Sequence, residues 1–517
     1  MRRIPRLYLV LSLFLFVLTA FVAPVVSTRQ ASAQGDMKHW VVIYKQSYLP
    51  SGADSSVVNA GGTVTARLPE IGALTADSTD PNFAARMSRD TKVADVVEDV
   101  MVQMIPGAGE QDLQAVGDGP VEPPGDDTQT GSDPLYFIQW DKKRMRASNQ
   151  GSYIVQRGRP DVTVAVLDTG AEMLPVPHQD ISDPSTGTNF DVARSRSFIG
   201  GVENPAPAAW DDRNGHGSWC LSAVGAPINA RGISGIAPQV RLVALKVLND
   251  SGQGSFVWLA QALIYAGNNK FDVASMSLSG ILDHSNPSTQ PLIKLVQRAV
   301  NYARENGVTP VAALGNQSFN ISDGDFFRSA IVVPAEIDGV IGVSATGYFN
   351  LKASYSNYGV GKTDVSAPGG NGGVQTQTGL PGNGSVVGAW AKEHPVCGPA
   401  VPGRCYVFTS GTSMATPNVA GVLALIISQY GDFTPDNSNK LHMSPQRVES
   451  YLQQSANNQP CPEPREVTYF LASPPAPPNT VTGAPNQRCQ GDAGYNNFYG
   501  KGMADALKAV TEAPGQQ

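Results

Sequence analysis

Three segments of the sequence contain residues that could together form a nucleophilic catalytic site. Asp168 directly follows the apolar run Val162–Leu167, and His216 stands between two glycines in the segment DRNGHGSWC. Ser413 opens a long apolar stretch in TSGTSMATPNVAG. A serine hydroxyl needs a base, which His216 can supply before returning the proton to the leaving amine. A buried carboxylate such as Asp168 can fix the imidazole tautomer and stabilise the imidazolium.

The developing oxyanion of such a reaction needs hydrogen-bond donors. The N–H of Ser413 at a helix start is one candidate, and the side-chain amide of Asn316, after the strand-like segment VAALG, is a second. Each residue also has an ordinary structural interpretation, because Asp before Gly is often a turn residue and Ser at a helix start is often a cap. The order Asp, His, Ser is far less expected by chance, and it is one of three chain orders known for this geometry.

Alternating apolar runs indicate the elements that would position these residues. Strand-like runs occupy Val162–Leu167, Arg241–Leu248, Ala274–Leu278, Val308–Leu314 and Val340–Val343. Helix-like segments occupy Trp258–Ala266, Ile293–Asn306 and Ser413–Tyr430. Buried strands between helices predict an α/β fold with a parallel sheet covered by helices on both faces. Chemistry is then expected at the carboxyl ends of the strands.

The N-terminus is typical of an export signal. Three arginines precede an apolar run over about Leu7–Ala23, and Ala31–Ala33 matches a small-x-small cleavage site. We therefore predict a signal peptide over 1–33 and a secreted protein. The alternative is a retained membrane anchor, since the run nearly reaches spanning length. No later run is as long, and no stable membrane partner is expected.

The next two segments differ in composition. Residues 34–105 contain strand-like Trp40–Tyr44, a helix-like stretch over Pro81–Arg89 and the apolar run Val93–Val102, which together predict a small α+β module. Residues 106–133 are rich in Gly and Pro and contain seven acidic residues but no Lys or Arg. This composition is typical of a linker.

The segments AVLDTG, NGHGSWC, VAALGN and SGTSMATPNVAG closely resemble the aspartate, histidine, asparagine and serine motifs of subtilisin-like serine proteases, the subtilases. The resemblance continues through GISGIAP, ALKVLNDSGQGS, SMSLSG, VSAPG and YGKGMADALKA, and so spans most of 134–517. It implies a three-layer subtilisin-like peptidase domain over 134–517, with Asp168, His216 and Ser413 as the triad and Asn316 at the oxyanion. No cofactor is needed for that chemistry.

The resemblance also implies substrate-binding residues. Two segments would pair with the substrate backbone: Ser251, Gly252, Gln253 and Gly254 form one, and Ser277, Leu278, Ser279 and Gly280 the other. Ala313 and Gly315 would help to wall the pocket for the residue before the scissile bond, and Ala335 would lie at its base. A small Ala335 leaves this pocket deep, so we expect large apolar residues to fit. The alternative for these small residues is ordinary tight packing.

Two positions depart from the family pattern. Trp219 and Asn418 replace histidines that are common in the histidine and serine motifs. Both are interpreted as packing residues outside the triad.

The five cysteines do not make a disulfide scaffold, and the odd number leaves one thiol over. Cys220 lies one helical turn after His216 and also occurs in proteinase K-like and thiol-dependent subtilases, so we predict a buried free thiol. A thiol nucleophile is the weaker alternative, because Ser413 fills that role. Pairing Cys397 with Cys405 and Cys461 with Cys489 is the simplest connectivity.

Residues 34–105 are similar to the inhibitor-like propeptide of subtilases in HWVVIYK, GGTVTARLPEIGALTA and KVADVVEDVMVQ. This implies a small α+β, ferredoxin-like propeptide that acts as an intramolecular inhibitor. Its tail near Val100–Ile105 would reach the active site, and the first autocleavage is expected there. The mature N-terminus would then lie between Ile105 and Pro134.

Subtilases commonly bind structural calcium, so the resemblance also suggests a structural Ca²⁺ site. The loop Asn229–Gly232 resembles a shortened family calcium loop, and Asp323 with Asp325 could form another oxygen cluster or a solvated loop. The sequence assigns no metal ligands, and Cys and His pairs at zinc spacing are absent from it.

The net charge of −7 excludes a nucleic-acid binder that works through bulk charge, and the 41% hydrophobic fraction argues against general disorder. The acidity resides mainly in the linker, since residues 134–517 contain 27 basic and 28 acidic residues. The sequence thus predicts a secreted serine endopeptidase made as a zymogen and acting on proteins or peptides. Two alternatives stay open: a non-catalytic subtilase-like binding protein, and a membrane-anchored processing protease of narrow specificity.

Overall fold

The computed structural model of the chain describes most of the protein beyond the predicted signal peptide. The described residues are 36–105, 113–116, 130–322, 329–372, 381–398, 403–433, 440–468 and 486–512. The predicted signal peptide, most of the linker, and Asp323 and Asp325 lie outside them. Among the helices that are described, none has the length and apolarity to cross a bilayer.

Residues 36–105 belong to the segment predicted to be a propeptide and are called the prosegment below; they form a four-stranded antiparallel sheet with two helices in the order β-α-β-β-α-β. The elements are β1 (Lys38–Tyr44), α1 (Ala53–Asn59), β2 (Thr63–Leu68), β3 (Ala73–Ser78), α2 (Phe83–Met87) and β4 (Val93–Glu98). The strand order is β2-β3-β1-β4. Alternation along β1 gives the sheet two apolar faces: Val42 and Tyr44 pack under the prosegment's own helices, whereas Val41 and Ile43 face the next domain.

The predicted apolar run Val93–Val102 is divided in two. β4 ends at Glu98, and β5 (Val102–Gln103) pairs instead with a strand at Gln253–Gly254 in the rest of the chain. A further short strand, β6 (Gln114–Ala115), lies in the acidic linker, where composition gave no sign of a strand.

The rest of the chain forms a larger domain around one parallel sheet. In chain order, the first strands of this domain are β7 (Thr163–Asp168), β8 (Arg196–Ser197), β9 (Arg241–Lys246), β10 (Gln253–Gly254), β11 (Val273–Met276), β12 (Gly280–Asp283), β13 (Thr309–Ala313), β14 (Ala330–Val333), β15 (Ile341–Thr346) and β16 (Val365–Pro368). The later strands are β17 (Val386–Trp390), β18 (Cys405–Thr409), β19 (Asp432–Phe433), β20 (Leu441–His442), β21 (Glu466–Thr468) and β22 (Asn486–Arg488).

The helices described in this part of the chain are α3 (Trp140–Arg144), α4 (Pro207–Trp210), α5 (His216–Gly225), α6 (Phe256–Asn268), α7 (Gln290–Glu305), α8 (Thr412–Tyr430), α9 (Pro445–Ser455) and α10 (Ala506–Thr511). Single 3₁₀ turns lie at Pro69–Ile71, Tyr136–Ile138, Ser152–Ile154, Pro184–Thr186, Ile199–Gly201, Pro381–Gly384 and Pro395–Cys397.

Seven parallel strands form the central sheet in the order β16-β15-β13-β11-β7-β9-β8. Its two faces are read off β7: Val164 and Val166 pack toward α5 and α8, whereas Ala165 and Leu167 pack toward α6 and α7. A sheet buried on both faces explains why its strands are continuous apolar runs. The predicted three-layer α/β fold is confirmed.

Candidate active site

Asp168 is the last residue of β7, so the central strand delivers its carboxylate to the carboxyl edge of the sheet. The side chain is fully buried. Its Oδ1 accepts hydrogen bonds from His216 Nδ1 at 2.8 Å and from the Thr169 N–H at 2.7 Å. This arrangement fixes the ring and leaves Nε2 of the imidazole to act on another group.

His216 is the first residue of α5, and the flanking glycines allow its placement. Gly215 has φ +107°, and a Cβ there would lie 2.3 Å from the Trp390 ring. A Cβ on Gly217 would lie 2.4 Å from the carbonyl oxygen of Gly170, so only glycine lets the helix start approach the turn after β7.

Asp212 supports this turn and was missed in the sequence. Its carboxylate accepts the N–H groups of Asn214 and Gly215 at 3.0 and 2.9 Å, and the N–H of Ser218 at 2.9 Å. An Asp two residues before Asn214 is a typical Asx-turn signal, so the segment DRNGHG held the information.

Ser413 is the second residue of α8, which begins at Thr412 directly after Gly411. Its hydroxyl donates to the carbonyl oxygen of Ser277 at 3.0 Å, so it has to leave that bond to give its proton to His216. Ser413 and His216 are 5% and 2% exposed, so both lie in a buried site.

Asn316 lies three residues beyond the end of β13 and is oriented by Thr412. Its Oδ1 accepts from both the N–H and the hydroxyl of Thr412, at 2.9 and 2.8 Å. The amide NH₂ group therefore points away from Thr412 and is free to donate. Thr412 was not predicted from the sequence, because a contact across 96 residues leaves no local pattern.

Cys220 lies beneath the imidazole, with Sγ 4.0 Å from His216 Nδ1 and 3.7 Å from the Ser413 carbonyl oxygen that it can donate to. It is a buried free thiol. Burial raises the pKa of Cys220 well above the usual range, so the thiol stays protonated. A protonated buried thiol is inert, and this favours Ser413 as the nucleophile.

The prosegment tail lies between the two predicted substrate-binding segments. β5 pairs antiparallel with β10, with Gln103 opposite Gln253 and Val102 opposite Gly254. On the other side, the Ser279 N–H donates to the Met104 carbonyl at 3.0 Å. The tail thus forms a strand between residues 251–254 and 279–280.

Close packing explains two of the glycines beside the tail. Gly252 has φ +78°, and a Cβ there would lie 2.6 Å from Cγ1 of Ile105. A Cβ on Gly254 would lie 2.6 Å from the carbonyl oxygen of Val247, while the sulfur of Met104, at 3.5 Å, is at ordinary contact distance. Met104 and Ile105 are 4% and 3% exposed, so the cleft holds two apolar side chains.

The predicted pocket walls also lie close together. A Cβ on Gly315 would lie 3.3 Å from Oγ of Ser279, which shows that the segments 277–280 and 313–315 face each other. β12 pairs with β14 so that Gly280 is opposite Val333, and the chain then turns at Ala335. Leu278, Ala313 and Ala335 are all buried.

The two departures from the family pattern pack into the domain. Trp219 is fully buried beside Trp390 and Met414. Asn418 accepts a hydrogen bond on Oδ1 from Nζ of Lys142 at 2.6 Å, and Lys142 also pairs with Asp141 at 2.8 Å. The buried Asp141–Lys142 ion pair thus contacts α8 through Asn418.

Four of the cysteines are joined by disulfides, Cys397 to Cys405 and Cys461 to Cys489. The first bridge lies at Cys405, the first residue of β18, and the rest of this strand leads to the helix that contains Ser413. It therefore anchors the strand that enters the serine segment.

The residues at the suggested calcium loop are engaged by hydrogen-bond donors. Oδ1 of Asp133 accepts the N–H groups of Asn229 and Ala230 at 3.0 and 2.8 Å, and the Ser234 hydroxyl donates to its other oxygen. At this loop, Oδ1 of Asp180 is the one carboxylate oxygen of the described residues that is buried without a hydrogen-bond partner. Calcium takes about six to eight oxygens, so the side chains at this loop do not by themselves form a calcium site.

The described residues contain one group of three side chains at metal-ligand spacing: Asp168, His216 and Cys220. Asp168 and His216 already bond to each other, and the third group is a protonated thiol. Asp323 and Asp325, the other suggested cluster, lie outside the described residues.

Comparison with known proteins identifies what this arrangement is similar to. The model of the subtilase family matches residues 159–502. Subtilisin Savinase from Lederbergia lenta is 36% identical over 265 residues, which are 51% of this chain and 76% of Savinase. M-protease from Shouchella clausii (strain KSM-K16) is also 36% identical over 265 residues, but the match spans only 53%, about half, of its length.

Two solved structures show the same fold. The epidermin leader peptide processing serine protease from Staphylococcus aureus has a TM-score of 0.64 at 20% identity, with 93% of this chain and 100% of that chain covered. Fervidolysin from Fervidobacterium pennivorans, a keratinolytic enzyme related to subtilisin, has a TM-score of 0.63 at 18% identity, with 95% and 63% covered.

Proposed function

Because the chain belongs to the subtilase family of serine proteases, we propose that it is a secreted endopeptidase made as a self-processing zymogen. It hydrolyses peptide bonds in proteins or peptides and needs no cofactor for this chemistry. The observation that carries the proposal is the Asp168–His216 hydrogen bond in a buried site that also contains Ser413 and the free amide of Asn316.

The reaction follows from this geometry. Ser413 attacks the scissile carbonyl while His216 takes its proton on Nε2, and Asp168 stabilises the imidazolium that forms. The oxyanion is held by the Ser413 N–H and by Nδ2 of Asn316, which Thr412 keeps in position. His216 then protonates the leaving amine, and water releases the acyl group by the reverse sequence.

The prosegment acts as the intramolecular inhibitor. Its tail forms a strand in the cleft where substrate would pair, and the apolar Met104 and Ile105 fill the space there. The apolar side chains of Met104 and Ile105 and the small Ala335 support a preference for apolar substrate residues. The first cut falls near the tail, and the mature N-terminus lies between Ile105 and Pro134.

The proposal is tested with Ser413→Ala in the full-length chain. We expect loss of casein hydrolysis and of prosegment release, and the mutant should accumulate as an uncut precursor in a host without other proteases. Maturation of this variant at the normal rate would contradict self-processing. The structurally conservative variant Cys220→Ser should keep activity, because the thiol does not react.

A further inference from the structure

The prosegment and linker contact the catalytic domain at a second place, beyond the cleft. Residues 113–116 of the acidic linker lie along β18, and Gln114–Ala115 adds a third, antiparallel strand to the β17–β18 pair. The N–H of Val116 donates to the carbonyl of Tyr406 at 2.9 Å. We call residues 113–116 the linker strand.

Two apolar side chains hold the linker strand in place. Leu113 packs against the cluster that contains Trp219, Trp390 and Met414, and Met414 directly follows the catalytic serine. Val116 packs against the main core of the domain. Gln114 and Ala115, between them, are exposed.

The prosegment tail and the linker strand run in the N-to-C direction that a single peptide lying across the catalytic serine would have. The tail runs from Val102, opposite Gly254, to Met104, which bonds Ser279, and so advances toward Ser277 and the serine it holds. β18 runs toward Ser413, and the linker strand is antiparallel to it, so the linker strand runs away from Ser413. It therefore lies where substrate residues after a scissile bond would lead.

On the basis of the proteolytic function above, we propose that the linker strand is a second inhibitory element of the zymogen. A first cut near Ile105 frees the prosegment but leaves residues 113–116 covalently joined to the catalytic domain. The linker strand then stays on β18 at high effective concentration and covers the edge that an extended substrate needs.

Full activity on protein substrates therefore requires a second cut, after Val116. This step hydrolyses one further peptide bond: it consumes one water and leaves a new carboxylate on the released piece and a new α-amino group on the catalytic domain. Short substrates that end at the scissile bond do not need the β18 edge, so they escape this inhibition.

The test follows maturation of the full-length chain with two substrates, a peptide p-nitroanilide and denatured casein, together with N-terminal sequencing. In the wild type, p-nitroanilide hydrolysis should appear once the first cut has been made and the prosegment has dissociated, whereas casein hydrolysis should lag until the N-terminus has moved beyond Val116. Val116→Pro removes the N–H that bonds Tyr406 and should shorten the casein lag about fivefold.

Leu113→Ser, which loses the contact with the Trp219 cluster, should act like Val116→Pro. The matched control is Gln114→Ala, whose exposed side chain leaves the strand pairing intact, and its lag should equal that of the wild type. Simultaneous onset of both activities in the wild type, a first N-terminus already beyond Val116, or equal lags in Val116→Pro and Gln114→Ala would each overturn the proposal. Absence of p-nitroanilide hydrolysis at every stage would instead overturn the proteolytic function, and the linker-strand proposal with it.

Discussion

At the scale of single residues, the site depends on side chains that hold the candidate catalytic residues in position. Thr412 orients the amide of Asn316, and Asp212 holds the turn that carries His216. The chemistry-bearing residues could be predicted from the sequence because their motifs are local. The residues that orient them could be predicted only where the contact is also local, as for Asp212.

Asn316→Ala should lower kcat about 10²- to 10³-fold with little change in KM, because the amide donates to the oxyanion only in the transition state. Steady-state kinetics on a peptide p-nitroanilide after prosegment removal measures this. Thr412→Val keeps the backbone N–H bond to Asn316 but loses the hydroxyl bond, so its loss of kcat should be smaller. A KM effect without a kcat effect in Asn316→Ala would contradict the oxyanion role.

Glu172 predicts a pH dependence of stability. Burial, with a contribution from Asp212 and Asp211, raises the pKa of Glu172 to about 8, above its ordinary 4.5. The folded state then holds a proton that the unfolded state has released, so this group lowers stability as pH rises from 4.5 toward 8.

Glu172→Gln should therefore raise Tm at pH 8 by on the order of 2 °C and leave Tm near pH 4.5 almost unchanged. Thermal unfolding in the Ser413→Ala background, which prevents self-digestion, provides the measurement. An equal shift at both pH values would show that the effect does not come from ionisation of Glu172.

At the scale of elements, the fold was more predictable than the connections between domains. The central strands are apolar and β-branched because both faces are buried, and this local pattern placed them correctly to within a few residues. Two features could not be predicted: the division of Val93–Val102 into β4 and β5, and the existence of the linker strand. Each short strand exists through a partner more than a hundred residues away, and its own residues have no strand pattern.

Helix α7 carries the main polar contact with the prosegment. The guanidinium of Arg298 donates from Nη1 to the carbonyls of Ile71 at 2.9 Å and Gln46 at 3.3 Å. On the same helix, Lys294 forms an ion pair with Asp95 at 2.8 Å, with both side chains partly exposed.

Arg298→Ala should therefore speed dissociation of the cut prosegment about tenfold, since a charged donor to two carbonyls is lost. Lys294→Ala is the matched comparison, and it should change the rate only about two- to threefold because exposed ion pairs contribute little. The rate is measured as the fraction of prosegment that co-elutes with the catalytic domain over time. Equal effects of the two variants would contradict this ranking.

At the scale of the whole molecule, the prosegment packs on the larger domain, and its tail pairs with β10. The prosegment sheet packs on α6 and α7 through Val41, Ile43 and Ile71, and its tail continues that contact into the cleft. In this arrangement Ser413 and His216 are buried. Activity is thus expected only after the prosegment is cut and its tail leaves the cleft.

The central claim is that Ser413 is a nucleophile activated by His216, and covalent labelling tests it most directly. A serine-directed fluorophosphonate is added to the matured enzyme, and the modified residue is located by peptide mass mapping, with His216→Ala, freed of its prosegment by an added protease, as control. We predict a single stoichiometric label on Ser413 in the wild type and none in the His216→Ala variant. An unlabelled Ser413 in matured enzyme with an intact His216, or labelling that does not depend on His216, would contradict the account.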